Sequence, residues 1–158
     1  MALEIERKFL VDPAKWSPEE PGIRLIQAYL SISPNPTVRI RIGGEKAFLT
    51  IKGFSENISR PEFEYEVPVG DAQEMLKLAI SNPVEKTRYK VMYEGFLWEV
   101  DAFAGKNEGL LMAEIELESE MQVFSRPDWL KAEVSGDPRY YNSYLSEHPF
   151  QEWKDSMV

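Results

Sequence analysis

The stretch Glu4-Ile5-Glu6-Arg7-Lys8-Phe9-Leu10-Val11 places Glu4, Glu6 and Lys8 on one face, and Ile5, Phe9 and Val11, with Arg7 among them, on the other. A period of two is the signature of a strand, whose successive side chains point to opposite faces. The same alternation returns in Val38-Arg39-Ile40-Arg41-Ile42, in Ala47 to Lys52 and in Glu62-Phe63-Glu64-Tyr65-Glu66-Val67. It returns again in Lys86-Thr87-Arg88-Tyr89-Lys90-Val91, in Trp98-Glu99-Val100-Asp101-Ala102 and in Ala113-Glu114-Ile115-Glu116-Leu117-Glu118. Ile26 to Ser31 is a milder version, with Gln27, Tyr29 and Ser31 opposite Ile26, Ala28 and Leu30. About eight strands result, mostly antiparallel given short turns such as Gly43-Gly44.

The polar faces of these strands are nearly single-signed, acidic in some and basic in others. Neighbours on one strand face lie about 7 Å apart and adjacent strands about 4.8 Å apart. Paired strands of like sign then repel by about 4 kcal/mol per close contact at an effective dielectric near 20. An ordinary sheet with its polar face in water is the common home for alternation of this kind. Here such a sheet is costly unless opposite charge sits within it. Closing the strands into a barrel with the charged face inward supplies that charge, removes the sheet edges and encloses room for side chains or a small ligand. The expected inner face carries ten carboxylates: Glu4, Glu6, Glu62, Glu64, Glu66, Glu99, Asp101, Glu114, Glu116 and Glu118. Its cations are seven: Lys8, Arg39, Arg41, Lys52, Lys86, Arg88 and Lys90. No dry interior holds so many ionisable groups, so the inside is expected to be wet and loaded with ions. The fold class expected is mainly antiparallel β with flanking helices (α+β), an eight-stranded closed tunnel with a charged interior.

Helices are expected in three places. Asp71 with Glu74 three positions on starts one over about residues 72 to 81. A second is expected around residues 120 to 132, interrupted near Pro127, and a third after Asp137-Pro138, carrying Tyr140, Tyr141, Tyr144 and Leu145. The 158 residues suit one domain, 1–158, and no internal repeat or low-complexity stretch divides them.

Composition narrows the chemistry. The chain has no Cys, which excludes disulfides, thiolate metal sites and a cysteine nucleophile, and it fits a reducing compartment. Its one His, His148, leaves no pair for zinc or iron and reads as a surface residue. The net charge of −9 argues against nucleic acid on the surface, which depends on Lys and Arg neutralising phosphates. No apolar leader core or membrane-length apolar run occurs, so a cytoplasmic protein, monomeric or homodimeric and away from membranes, is expected. No Gly-x-Gly-x-x-Gly or phosphate loop is present. Carboxylates without His or Cys call for Mg²⁺ or Mn²⁺. Clustered Arg and Lys call for a polyanion, most simply phosphate. Both in one tunnel describe a site for a metal-complexed polyphosphate, with the parts needed for metal-assisted phosphoryl hydrolysis.

Several motifs also follow one another in order. They are Glu4-Ile-Glu6-Arg-Lys8, Arg39-x-Arg41, Thr50-Ile-Lys52-Gly53, Arg60-x-Glu62-x-Glu64, Glu85-Lys86-Thr-Arg88-Tyr89, Glu99-x-Asp101-x-Phe103-x-Gly105, Glu114-x-Glu116 and Arg139-Tyr140-x-Asn142. The series resembles the CYTH family, the triphosphate tunnel metalloenzymes, over the whole chain. The resemblance implies an eight-stranded antiparallel tunnel and divalent-metal-dependent hydrolysis of triphosphate, in a family that also includes thiamine triphosphatases, class IV adenylate cyclases and RNA triphosphatases. Carried over by position, Glu4, Glu6, Glu114 and Glu116 resemble the metal-binding group, with Glu62, Glu64 and Asp101 as contributors. Lys8, Arg39, Arg41, Lys52, Lys86, Arg88 and Arg139 resemble the triphosphate-binding group. Lys86 is expected at the scissile end, and of two metal ions the one that activates water is expected on Glu4 and Glu116. Glu66, Lys90 and Glu118 fit the alternation but not the motif. Tyr29 is expected either to line the tunnel or to pack.

The leading reading is hydrolysis of inorganic triphosphate to pyrophosphate and phosphate. The competing ones are a thiamine or nucleoside triphosphatase, an adenylate cyclase, and a polyphosphate-binding module without turnover. A lipocalin-like carrier fails, because its interior needs an apolar lining that these strands do not offer.

Overall fold

The computed structural model describes residues 3–32 and 36–156. It contains nine strands: β1 (Leu3–Val11), β2 (Ile23–Ser31), β3 (Thr37–Gly43), β4 (Lys46–Lys52), β5 (Ser59–Val67), β6 (Val84–Tyr93), β7 (Phe96–Phe103), β8 (Leu111–Glu116) and β9 (Leu130–Glu133). They pair in the order β5-β4-β3-β2-β6-β7-β8-β1, and β5 pairs back onto β1, so eight antiparallel strands close a barrel. The ninth strand lies beside β1. One flank of β1 is shared, since Leu3 to Ile5 pair with β5 and Phe9 to Val11 with β9, while its other flank pairs with β8 from Glu6 to Leu10. The hairpins are tight where sequence permits. Between β6 and β7 the two-residue loop Glu94-Gly95 takes φ 49° and 82°, the left-handed pair that matches the twist of a hairpin.

Alternation carries the apolar residues outward. On β1, β7 and β8 the outer face is Ile5, Phe9, Trp98, Val100, Ala113 and Ile115, all buried. Aromatic residues from outside cover them: Trp98 lies edge-on to Phe9, Phe124 and Trp129 at centroid distances of 5.7, 5.6 and 5.8 Å. Phe9 and Trp98 are fully buried, and truncating such a side chain costs about 3–5 kcal/mol. On β2 to β4 the outer face is Ala28, Ile40 and Ala47, covered by the helix α1 (Val69–Leu76) through Ala72.

The helices differ from the sequence expectation. α1 starts at Val69, with Pro68 as its N-cap and Asp71 inside the first turn, and it ends at Leu76. Proline cannot donate within a helix and presets φ, so it marks the boundary three residues before the expected Asp71 cap. The helix expected over residues 120 to 132 does not form. Met121 and Val123 are exposed there, Phe124 and Trp129 lie on the outer sheet, and residues 130–133 pair as β9. Pro127 and the need to lay two separated aromatics on a flat sheet override helical propensity. After Asp137, whose carboxylate accepts from the Arg139 amide, a single 3₁₀ turn (Pro138–Tyr140) leads into α2 (Asn142–Glu147) and, beyond Pro149, α3 (Phe150–Trp153).

This C-terminal segment closes one end of the barrel. Val84, Phe103 and Met112 share strand faces with the charged residues, yet they pack with Val134, Tyr140, Leu145 and Phe150 into an apolar plug. The interior is therefore charged for most of its length and apolar at one end.

Candidate functional site

Above the plug lies a cavity of about 260 Å³. Its wall holds seven carboxylates and seven cations, the latter being Lys8, Arg39, Arg41, Lys52, Arg60, Lys86 and Arg88. Strand periodicity explains the gathering: each strand delivers the residues of one parity to the same closed interior. Of the residues expected inside, Glu66, Lys90 and Glu118 are exposed and off the wall, Glu118 lying beyond the end of β8. Asp101 lies behind the wall rather than on it. The structure adds Arg60, and from the segment beyond β9 it adds Ser135, Tyr141, Asn142 and Ser143. Tyr29 lines the cavity. Arg139 does not reach it: its guanidinium pairs with Asp137 at 2.7 Å and lies over the Trp153 ring. Arg60 shares the parity of Glu62 and Glu64, so alternation held the signal for it. The C-terminal residues come from loops and a helix start, where no period announces them.

Three sets of ion pairs stand out. In the first, Lys52 Nζ is 2.8 Å from Glu4 and 3.4 Å from Glu62, while Lys8 is 3.8 Å from Glu6 and 3.9 Å from Glu114. In the second, Arg88 grips Asp101 through two bonds of 2.8 Å each, and Lys86 reaches the same carboxylate at 2.8 Å. Lys86 also donates to Asn142 Oδ1 at 3.2 Å, which leaves one of its three N–H donors for a ligand. In the third, Arg39 donates to Thr50, whose hydroxyl donates to Glu64 at 2.7 Å, and Glu64 lies 3.7 and 4.0 Å from Arg39 and Arg41.

Burial and neighbours set the protonation of these groups. Burial pushes Lys86 down to about 8, with Asp101 working against it. Burial opposes the charge of Glu114 too, but Lys8, Arg88 and Lys86 outweigh it and hold the carboxyl well below the usual range. Burial, with Glu114 and Glu4 adding repulsion, pushes Glu6 up to about 8. Glu62 is pushed up to about 7 by burial and by a hydrogen bond with Glu4.

Among the described residues no three carboxylates converge into a ready-made cation site. Lysines and arginines already occupy most of them. Glu116 is the lining carboxylate that lacks an ion pair among the described residues, and its direct partner across the β1–β8 ladder is Glu6. Two carboxyl groups stand opposite each other there, and burial together with the neighbouring carboxylates pushes that of Glu6 up. That arrangement fits a hard cation, and no His or Cys lines the cavity to suit a softer one.

The fold and the site together define a closed β-tunnel with an ionic interior. The chain belongs to the CYTH family: the CYTH domain matches residues 2–141. It is 48% identical over 156 residues to an inorganic triphosphatase of Acetivibrio thermocellus, an alignment covering 98% of this chain and 100% of that one. It is 36% identical over 148 residues to an inorganic triphosphatase of Nitrosomonas europaea, covering 90% and 96%. The crystal structure of the inorganic triphosphatase NE1496 superposes with a TM-score of 0.65 at 34% identity, covering 92% of this chain and 95% of that one.

Proposed function

We propose that this protein is a divalent-metal-dependent hydrolase that cleaves inorganic triphosphate to pyrophosphate and phosphate inside the tunnel. The observation that carries this reading is the wall itself, on which seven cations, most of them from β3, β4 and β6, and seven carboxylates, from β1, β5, β7 and β8, surround a cavity of about 260 Å³. Relatives at 48% and 36% identity over nearly the whole chain bear the same activity in their names. Triphosphatases of this family are metal-dependent. The thiamine, nucleoside, cyclase and non-catalytic readings have no such support.

In this reading Arg39, Arg41 and Lys52 bind non-bridging oxygens, their forks and donors replacing the carboxylates they now hold. Arg88 is fixed by Asp101 and presents its remaining donors to the chain of phosphates. Lys86, beside the apolar plug, places its free donor where negative charge builds on the leaving phosphate. Asp101 acts through Lys86 and Arg88 rather than as a metal ligand. Glu6 and Glu116, with Glu4 and Glu114 beside them, would hold Mg²⁺ or Mn²⁺, two ions in the fullest version. Such a cation neutralises phosphate oxygens and acidifies bound water. The apolar plug and the barrel wall keep bulk water from the reacting phosphate, which strengthens each of these contacts.

The test is a substrate panel. Purified protein is given triphosphate, thiamine triphosphate or ATP with Mg²⁺ or Mn²⁺, and the products are separated. Turnover of triphosphate above the other two is expected. Faster conversion of ATP to cyclic AMP overturns the reading.

A further inference from the structure

Of the seven cations on the cavity wall, six lie within 4.0 Å of a carboxylate, and Arg60, among the described residues, does not. Its guanidinium is instead held by a neutral group: Nε and one terminal nitrogen donate to the Gly53 carbonyl at 3.2 and 3.0 Å. A guanidinium has two such edges, each offering a pair of parallel N–H donors. The Gly53 carbonyl occupies one and thereby fixes the plane of the group. The other edge, which runs from one terminal nitrogen to the other, remains unpaired.

The position of Arg60 gives that edge a use. Its backbone is directly across from Glu4, near the start of β1, whereas Leu10 on the same strand packs against the apolar plug. Six residues of strand separate those levels by about 20 Å. The segment between β4 and β5, which supplies the Gly53 carbonyl, also brings Ser55, Asn57 and Ile58 to the wall, and Glu56 and Asn57 face solvent. Arg60 therefore stands at the rim furthest from the plug, on a part-buried side chain that is already oriented.

We propose that Arg60 is a substrate-binding residue of the tunnel rim, which takes a phosphate of the entering polyanion on the guanidinium edge left open by its bond to Gly53. The other cations share their charge with a carboxylate within 4.0 Å when they bind a phosphate; Arg60 has a whole edge free and only a neutral carbonyl on the other. It is the group that meets the polyanion first and then holds the end remote from Lys86. The proposal rests on the triphosphate reading and assigns it a residue outside the metal and inner phosphate groups.

Arg60→Ala, Arg60→Gln and Arg60→Lys separate charge from tethering. Gln keeps donors for Gly53 without the charge, and Lys keeps the charge without the fork. For Arg60→Ala and Arg60→Gln, KM for triphosphate is expected to rise about tenfold or more, as for loss of a charge-assisted contact, with kcat within about threefold. Arg60→Lys is expected to fall between these and the wild type. The fall of kcat/KM with rising salt is expected to be shallower in the two neutral variants. An unchanged KM in Arg60→Ala overturns the proposal. So does a wild-type KM in Arg60→Gln, which assigns the side chain to loop tethering alone. Thermal melts check the fold, and if Arg60→Ala does not fold, the Gln and Lys variants decide. Should the wild type prove inactive on triphosphate, the functional reading fails separately. Titration of inorganic triphosphate with Mg²⁺ into wild type and Arg60→Gln then tests the rim residue by affinity, and equal affinities overturn it.

Discussion

Lys86 Nζ lies 2.8 Å from Asp101 Oδ2, and both side chains are sealed from solvent, at 1% and 2% exposure. Asp101 also accepts both bonds of the Arg88 fork, so one buried carboxylate clamps two cations. Asp101→Asn takes from Lys86 its one ion pair among the described residues and leaves Arg88 only its longer contacts with Glu99 and Glu114, at 3.5 and 3.9 Å, so a stability loss of about 3 kcal/mol or more is expected in urea denaturation. A loss below about 1 kcal/mol, typical of an ordinary substitution, contradicts that account of the pair.

Glu116 makes the opposite prediction. It has no ion-pair partner among the described residues and is exposed, so Glu116→Ala is expected to melt within a few degrees of the wild type. Triphosphate hydrolysis is expected to fall by about a hundredfold or more if the Glu6–Glu116 pair holds the cation. Retained turnover with unaltered metal dependence sinks that assignment.

The raised Glu6 and Glu62 carboxyls set a pH dependence with a definite sign. Both bind a proton more tightly when folded than at the ordinary value of 4.5, Glu6 up to about 8 and Glu62 up to about 7. Without added metal, their contribution to stability is complete below about 4.5 and is lost as pH rises through 7 to 8. Mg²⁺ competes with those protons, so its stabilising effect is expected to be larger at pH 8 than at pH 5. Melting temperatures at the two pH values, with and without Mg²⁺, check this; an equal Mg²⁺ effect at both refutes it.

Arg139 provides a control. It pairs with Asp137 and lies over Trp153, away from the cavity wall. Arg139→Ala is expected to leave kcat/KM within about threefold, since its ion pair is solvent-exposed and away from the cavity wall. A loss comparable to that of an inner arginine would show that the segment carrying it moves to the substrate.

The barrel was legible because its signal is redundant. Eight strands each repeat the alternation of Glu4-Ile5-Glu6, and a one-residue slip in any of them moves its charges outside. Parity had one blind spot: it assigns a face, not a depth. Val84, Phe103 and Met112 have the same parity as Lys86, Asp101 and Glu114, and only the packing of Tyr140, Leu145 and Phe150 against them shows where the ionic interior stops. Alternation puts Asp101 on the inner face but does not distinguish a carboxylate that lines a cavity from one that, like Asp101, clamps the lining from behind. The segment around Phe124 and Trp129 carries no helix because its apolar residues answer to the outer surface of strands distant in the chain, a constraint that local periodicity does not show. Asn142 and Ser135 reach the site from turns, beyond the reach of any periodicity.

The equal numbers of carboxylates and cations on the cavity wall make the tunnel an ion exchanger. A polyphosphate entering alone displaces carboxylates from their lysines and arginines and leaves them uncompensated; a divalent cation entering alone strands the lysines in the same way. Only the two together, as a salt, restore neutrality on both sides of the exchange. Each should therefore tighten the binding of the other by the same factor, as linkage requires. The ion pairs that hold the barrel interior in register are then the same ones whose breaking sets how steeply occupancy depends on the metal.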